Sequence, residues 1–477
     1  MTLIERLGAH VAHCGAPPPP LRDLLERHLV DTIGAWLAAL RTAEGAALLR
    51  WRRALADGDA GDAGDASGAG ATHRLRLDVM THCALARLSE IDDIHLASTT
   101  TPGAIVIPGA LAVAAPLGVR DPAPAPLAAA MMAGYEVMTR LGQAIDGAAV
   151  LSRGIWPTYF TAPAAMAAVA ARLAGLDAAS AANALGLALA RASPGVGHHN
   201  TATTSRWLAV GQAAETGLLA ALAARAGFTC DLALLDGGFL PGIYGIKPDP
   251  VALSAGLGER FALGEGFALA QGFALAEVSF KPWCAARQTM AATQALTEIL
   301  AAGVPPGAIT RVKALVPPAH HRMVDHGVAI GDRSSFLTSL PYRLAVAALD
   351  PPAAFAAVQA PQQVAENIAA FMARIEVAPN APDDALMAEF PRQWPARVEV
   401  TTPAGRHQRV VAHVPGDPQW PFDAAAVQEK FHRFAAPAVG AEAAARILQR
   451  ALGLLTGQTP AAALMRDVED IIGRVAQ

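Results

Sequence analysis

The stretch LSEIDDIHLASTTTPGAIVIPGAL, residues 89–112, holds three carboxylates, Glu90, Asp92 and Asp93, and the imidazole of His95 within six residues. An apolar run rich in Gly and Ala follows. Acids and an imidazole in apolar sequence are the groups that take up and return protons, because a low-dielectric cleft makes their charges and pKa values adjustable. Such a set suits proton removal next to a carboxylate, with the developing charge held by cations or hydrogen-bond donors. Plainer roles stand beside these. Asp92 and Asp93 could cap the following turn or pair with a buried arginine. His95 could be a core histidine bonded to a backbone carbonyl. Thr99, Thr100 and Thr101 have the composition of a turn.

Other clusters point less clearly to chemistry. Cys284 follows Trp283, but no Cys–His pairing is readable, so it is expected to be a buried, inert thiol. HHN at 198–200 and HHRMVDH at 320–326 look like metal ligands, yet lack the i, i+4 ligand pair or nearby cysteine that would define a site. His321, Asp325 and His326 are read as contacts to a substrate, against a solvated loop. The glycines of DGGFLPGIYG, residues 236–245, lack a preceding strand and phosphate-loop spacing, so nucleotide binding is dismissed. No metal is expected.

The elements that must position these groups follow from pattern. The chain has 477 residues, 53% hydrophobic and only 16% charged. Alanine causes most of that excess, and long Ala-rich stretches at helical spacing argue for many closely packed helices. A buried subunit interface is also expected, since an oligomer needs less polar surface. The formal net charge of −4 carries no basic stripe, which argues against nucleic acid as a partner. Cys14, Cys83, Cys230 and Cys284 are far apart, which fits a reducing cytoplasm. MTLIERLGAHVAH is not read as a signal peptide. Arg172 and Asp177 interrupt the most apolar run, so no membrane span is expected.

PPPP at 17–20 is expected to end a first short helix, and LRDLLERHLVDTIGAWLAAL to form the second. DGDAGDAGDASGAGA at 57–71 reads as a loop. Helical patterns dominate from about 77 to 226, with a stop at Gly227. AITRVKALVPP and MARIEVAPN read as strands, and PARVEVTTPAGRHQRVVAHVP as a hairpin joined by PAG. Helices are expected between them at 284–302, 335–350 and 360–371. The architecture is therefore mainly α: a large helical domain from both chain ends, 1–277 and 416–477, with a smaller α/β domain inserted at 278–415.

This arrangement, with several motifs in order, resembles the MmgE/PrpD family, which includes 2-methylcitrate dehydratase, cis-aconitate decarboxylase and iminodisuccinate epimerase. LVDTIGAWLAAL is similar to its early LLDtlG helix, and EIDDIHLASTTTPGAIVIPGAL to its DxDDTH…HPG…PAAL segment. GYEVMTRL, GIWPTYFTAPAAMAAVAARLAGL, GQAAETGLLAALAARAGFTC, FKPWCAARQTM, SSFLTSLPYRLAVAAL and VPGDPQWP…VQEKF follow in family order. The resemblance implies a helical domain, an α/β lid domain, a homodimer, an active site between the domains, and no metal or organic cofactor.

It also implies roles. Lys281 stands where the family has its lid-side lysine, with Arg287 six residues on, and either could clamp a substrate carboxylate, Arg in bidentate fashion. Asp93 or His95 would be the base. Glu90, Asp92, Thr158, Tyr159 and His321 would line the site. The departures are informative. The HPG histidine is Thr101, the DDT threonine is Ile94, and the HPT histidine is Trp156. The lysine before GxAA is Arg206, and a later histidine is Met290. Trp156 would make the pocket more apolar or offer a stacking face. A site without these imidazoles is not expected to protonate a leaving hydroxyl in the same way. The first expectation is a lyase of the dehydratase type acting on a small organic acid. An isomerase or epimerase, needing no leaving group, is the second. A non-catalytic binding protein on the same scaffold is the third.

Overall fold

The computed structural model describes residues 1–59, 68–117, 124–192, 203–257, 273–381 and 383–475. They form two units. The first holds Met1–Val196, Thr204–Val278 and Asp423–Gln477, and the second is built on Ser279–Phe422.

The first unit is helical. Its core helices are Pro19–Ala38, Gly68–Leu88, Gly103–Ala114, Pro124–Ala144, Pro157–Leu173 and Ser205–Arg225. Alanine and glycine let them approach closely. A Cβ on Gly217 would lie 2.2 Å from the Pro163 carbonyl oxygen, so only glycine allows Ser205–Arg225 to seat on Pro157–Leu173. Ser205–Arg225 is the single described helix long and apolar enough to cross a membrane, and it packs against four other helices of this unit. The chain's end returns to its beginning. Ala424–Val439 packs on Pro19–Ala38, and the buried Lys430 Nζ donates to Asp31 Oδ1 (2.5 Å) and to the Ile91 carbonyl (2.7 Å). The proline run does not end the first helix, which stops at His13. Pro19 and Pro20 instead open the next one, where a missing N–H does no harm. Gly227 follows the Ser205–Arg225 helix with φ +96°. The core of the Gly/Asp/Ala run at 57–71, like the HHN at 198–200, lies outside the described residues.

The second unit carries a four-stranded sheet in the order Ile375–Pro379, Arg311–Val316, Ala396–Thr402, Gly405–Val411. The first pair is parallel and the others antiparallel. Val312, Ala314 and Val316 alternate inward with Ala396, Val398 and Val400, and the helix Arg287–Ala301 packs on the sheet. The helix expected from 284 begins at Arg287. Residues 416–422 stay with this unit instead of the C-terminal helices, because Phe280 N–H donates to the Gly416 carbonyl (2.9 Å) and Asp417 pairs with Arg287.

Candidate active site

The Gly68–Leu88 helix ends just before the acid segment, and Glu90 follows at φ +63°. A left-handed residue with a Cβ costs about 1–2 kcal/mol relative to its ordinary backbone. Glycine would relieve that, so the structure retains a carboxylate at the expense of strain. Glu90 is held by Arg87, whose Nη1 lies 2.8 Å from Glu90 Oε2 and 3.3 Å from Asp92 Oδ1. Burial works against the Arg87 charge, but Asp92 and Glu90 more than offset it, so the guanidinium stays fully protonated.

Asp93 points into a separate polar knot. Its Oδ2 accepts from Tyr135 Oη (2.8 Å) and lies 3.0 Å from His28 Nδ1, while Oδ1 accepts from Gly103 N–H (2.8 Å). All of these side chains are sealed from solvent. A Cβ on Gly103 would come within 2.6 Å of Asp93 Oδ2 and 2.7 Å of Thr32 Oγ1. Burial and the Asp93 charge push the Tyr135 phenol well up, so it remains a donor. Asp93 thus pins the segment to three helices.

His95 is also engaged. His95 N–H donates to the Thr100 carbonyl (2.8 Å), closing a turn through Thr99 at φ +56°. Nδ1 accepts from Ser98 N–H (3.2 Å), which leaves Nε2 to carry the hydrogen facing Glu277 Oε2 at 3.3 Å. The threonines form the turn, as their composition indicates. Thr101 additionally meets Thr158: Thr101 N–H donates to Thr158 Oγ1 (3.1 Å), and their hydroxyls lie 3.3 Å apart.

Trp156 precedes Pro157, the first residue of the Pro157–Leu173 helix, and Tyr159 stands in its first turn. Their rings stack at 5.5 Å with an 8° interplanar angle. The Arg206 guanidinium carbon lies 5.3 Å from the Trp156 ring centroid and 4.5 Å from that of Trp207. Arg87 lies 5.8 Å from the Trp207 ring. The result is a run of alternating aromatic and guanidinium groups ending at two carboxylates. Trp156 Nε1 and Tyr159 Oη are buried without a hydrogen-bond partner among the described residues. Burial pushes the Tyr159 phenol up to about 12, opposed by Arg87 and Arg206.

Glu90, Asp92, Trp156, Tyr159 and Arg206 therefore meet in one cluster of the first unit, with Thr101 and Thr158 bonded to each other and Thr158 adjacent to Tyr159 in sequence. Sequence reasoning missed Arg87 and Trp207, although Arg87 stands one turn before Glu90 and Trp207 adjoins Arg206. It also missed His28, Tyr135, Asp31 and Lys430.

In the second unit Lys281 is 2% exposed. Arg287 Nη2 closes a fully buried ion pair with Asp417 (2.6 Å). Burial, reinforced by the Arg287 charge, lowers the neighbouring His320 imidazole to about 3. His321 Nε2 lies 3.3 Å from both the Val377 carbonyl and Asp325 Oδ2, which ties it to the sheet edge. His326 bonds Thr338 Oγ1 (3.0 Å) and the Gly327 carbonyl (2.6 Å) beside a hollow of about 280 Å³. Cys284 is buried, as expected.

Two further features of the first unit lie apart from the predicted residues. A cavity of about 690 Å³ is lined by Arg6, His10, His13, Cys14, Met132 and Glu136 among others. Burial and then Glu136 push the Cys14 thiol up to about 11, which makes it a poor nucleophile. Asp78, His82 and Glu469 bring ligand atoms within 4.8 Å of one another. Arg52 already neutralises that group, at 2.5 Å from Asp78 and 3.0 Å from Glu469, so a metal ion would have to expel it. The set is an ion-pair knot joining three helices.

The family model of the MmgE/PrpD N-terminal domain matches residues 8–246, and that of the MmgE/PrpD C-terminal domain matches residues 283–454. No curated protein matches the chain.

Proposed function

Because this chain belongs to the MmgE/PrpD family, whose members are generally enzymes, we propose that it is a lyase of the dehydratase type. It removes a proton next to a carboxylate or carbonyl of a small organic acid and releases a leaving group. The observation that carries this reading is the Arg87–Glu90–Asp92 ion-pair set joined to the Arg206–Trp156–Tyr159 stack. Acid and cation held together in a dry environment suit abstraction of a weakly acidic proton.

Glu90 is the best-placed base. It keeps 6% of its surface accessible, whereas Asp92 and Asp93 are sealed and Asp93 has both oxygens occupied. In this reading Asp93 and His95 hold the segment, Arg206 binds substrate carboxylate, and Trp156 with Thr101 and Thr158 forms the wall. The protein works as a cytoplasmic homodimer, a state supported by its low charge content and by exposed Phe228, Ile243 and Val251.

An isomerase or epimerase is the second reading, favoured by a specific observation. The His95 nitrogens are both engaged, and Trp156 and Thr101 offer no imidazole to protonate a leaving group. Proton NMR in deuterium oxide with di- and tricarboxylic acids, their imino analogues and oxo acids separates the two. New vinyl signals mark the lyase. Deuterium exchange into recovered substrate without new signals marks the isomerase. Silence across the panel contradicts both.

A further inference from the structure

We propose that the Tyr159 phenol is the hydrogen-bond donor to the substrate oxygen on which negative charge develops. This rests on the reading of the Glu90 cluster as a proton-abstraction site. It assigns to an aromatic residue of this chain the charge stabilisation that its missing imidazoles would not provide.

Four observations lead there. Tyr159 is 2% exposed and its hydroxyl meets no acceptor among the described residues, although buried hydroxyls are ordinarily satisfied. An orphaned donor in a dry cluster is a site prepared for an acceptor from outside the fold. Its direction is fixed, because the ring is stacked on Trp156 at 5.5 Å and 8°, in the first turn of a helix. Preorganisation of that kind is what makes a single donor effective on a developing oxyanion. The charges of Arg87 and Arg206 act on the phenol, and their field favours an anion forming next to it. Finally, the phenol stays protonated across the neutral range, with burial outweighing both arginines, so it donates without giving up its proton.

The step balances without any further reactant. The proton leaves the substrate carbon for the Glu90 carboxylate. The electron pair of the broken C–H bond delocalises onto the adjacent carbonyl or carboxylate oxygen. Tyr159 Oη–H donates to that oxygen, and nothing is oxidised or reduced. The substrate class is an acid whose abstracted hydrogen lies alpha to an oxygen that reaches Tyr159, so that an enolate forms.

The test is Tyr159→Phe in the full-length protein, read by turnover or alpha-proton exchange with the panel acids, by KM, and by thermal unfolding. The expected result is a kcat lower by about 10²–10³-fold, the scale of losing one oxyanion donor, with KM changed less than about threefold and Tm unchanged or higher. The Tm arm matters because removing an unsatisfied hydroxyl relieves a desolvation penalty. A structural tyrosine whose hydroxyl bonds within the fold would lower Tm instead. Unchanged kcat in the variant overturns the inference while leaving the proton-abstraction reading intact. A raised KM at unchanged kcat also overturns it, since the donor would then bind ground state and transition state alike. A wild-type protein that neither turns over nor exchanges any panel acid removes the underlying reading and this assignment with it.

Discussion

Arg206 lies over Trp156, its guanidinium carbon 5.3 Å from the indole centroid. These are two positions that the resemblance sets against a lysine and a histidine, and they touch. A planar guanidinium stacks on an indole where an ammonium on a flexible stem does so poorly. The two side chains therefore form one structural unit, and a change at either position removes this contact from the other.

That contact predicts non-additivity. Trp156→Ala and Arg206→Ala, separately and combined, are expected to show a coupling energy of about 0.5–2 kcal/mol in urea unfolding. Independent, additive effects would mean that the stack contributes nothing to stability.

The cations of the second unit separate by role. Arg287→Ala leaves the sealed Asp417 without its partner and is expected to destabilise by about 3–5 kcal/mol in denaturant unfolding. Lys281→Ala is expected to abolish turnover. Full activity in the Lys281 variant would leave it no part in the reaction.

Two groups of different charge type give the same sign of pH dependence. His320 falls to about 3 in the folded state, below an ordinary 6.5, so the unfolded chain binds the extra proton between those values. Stability is full above about 6.5 and declines as pH drops toward 3. Glu469 is pushed up by burial, but His82 and Arg52 pull it to about 2 from an ordinary 4.5. Its contribution is full above 4.5 and is lost as pH falls through 2. Chemical unfolding from pH 7 to 3 is expected to show the His320 loss first. His320→Phe should flatten the curve above pH 4.5, and an unflattened curve would place the proton uptake elsewhere.

Much of the architecture was legible because it rests on local pattern. Alternation in RVKALV and in the arms around PAG marks the strands, and alanine spacing marks the helices. The site was half legible. Glu90, Asp92 and Asp93 look alike in sequence, but the left-handed backbone at Glu90 aims neighbouring acids at different partners. Arg287 and Asp417 stand 130 positions apart, so nothing local reveals that the arginine is already paired. Tyr135 and His28 lie on two separate helices, recognisable as partners only once Asp93 is seen between them.

The most direct measurement is alpha-proton exchange in deuterium oxide by wild type and Glu90→Gln, on whichever panel acid the wild type processes. Glutamine keeps the size and a hydrogen bond but cannot take a proton. The account predicts a rate lower by about 10²–10⁴-fold, beyond the lowered thermal transition that loss of the buried Arg87–Glu90 charge pair brings. Exchange at the wild-type rate would contradict the assignment of Glu90 as base.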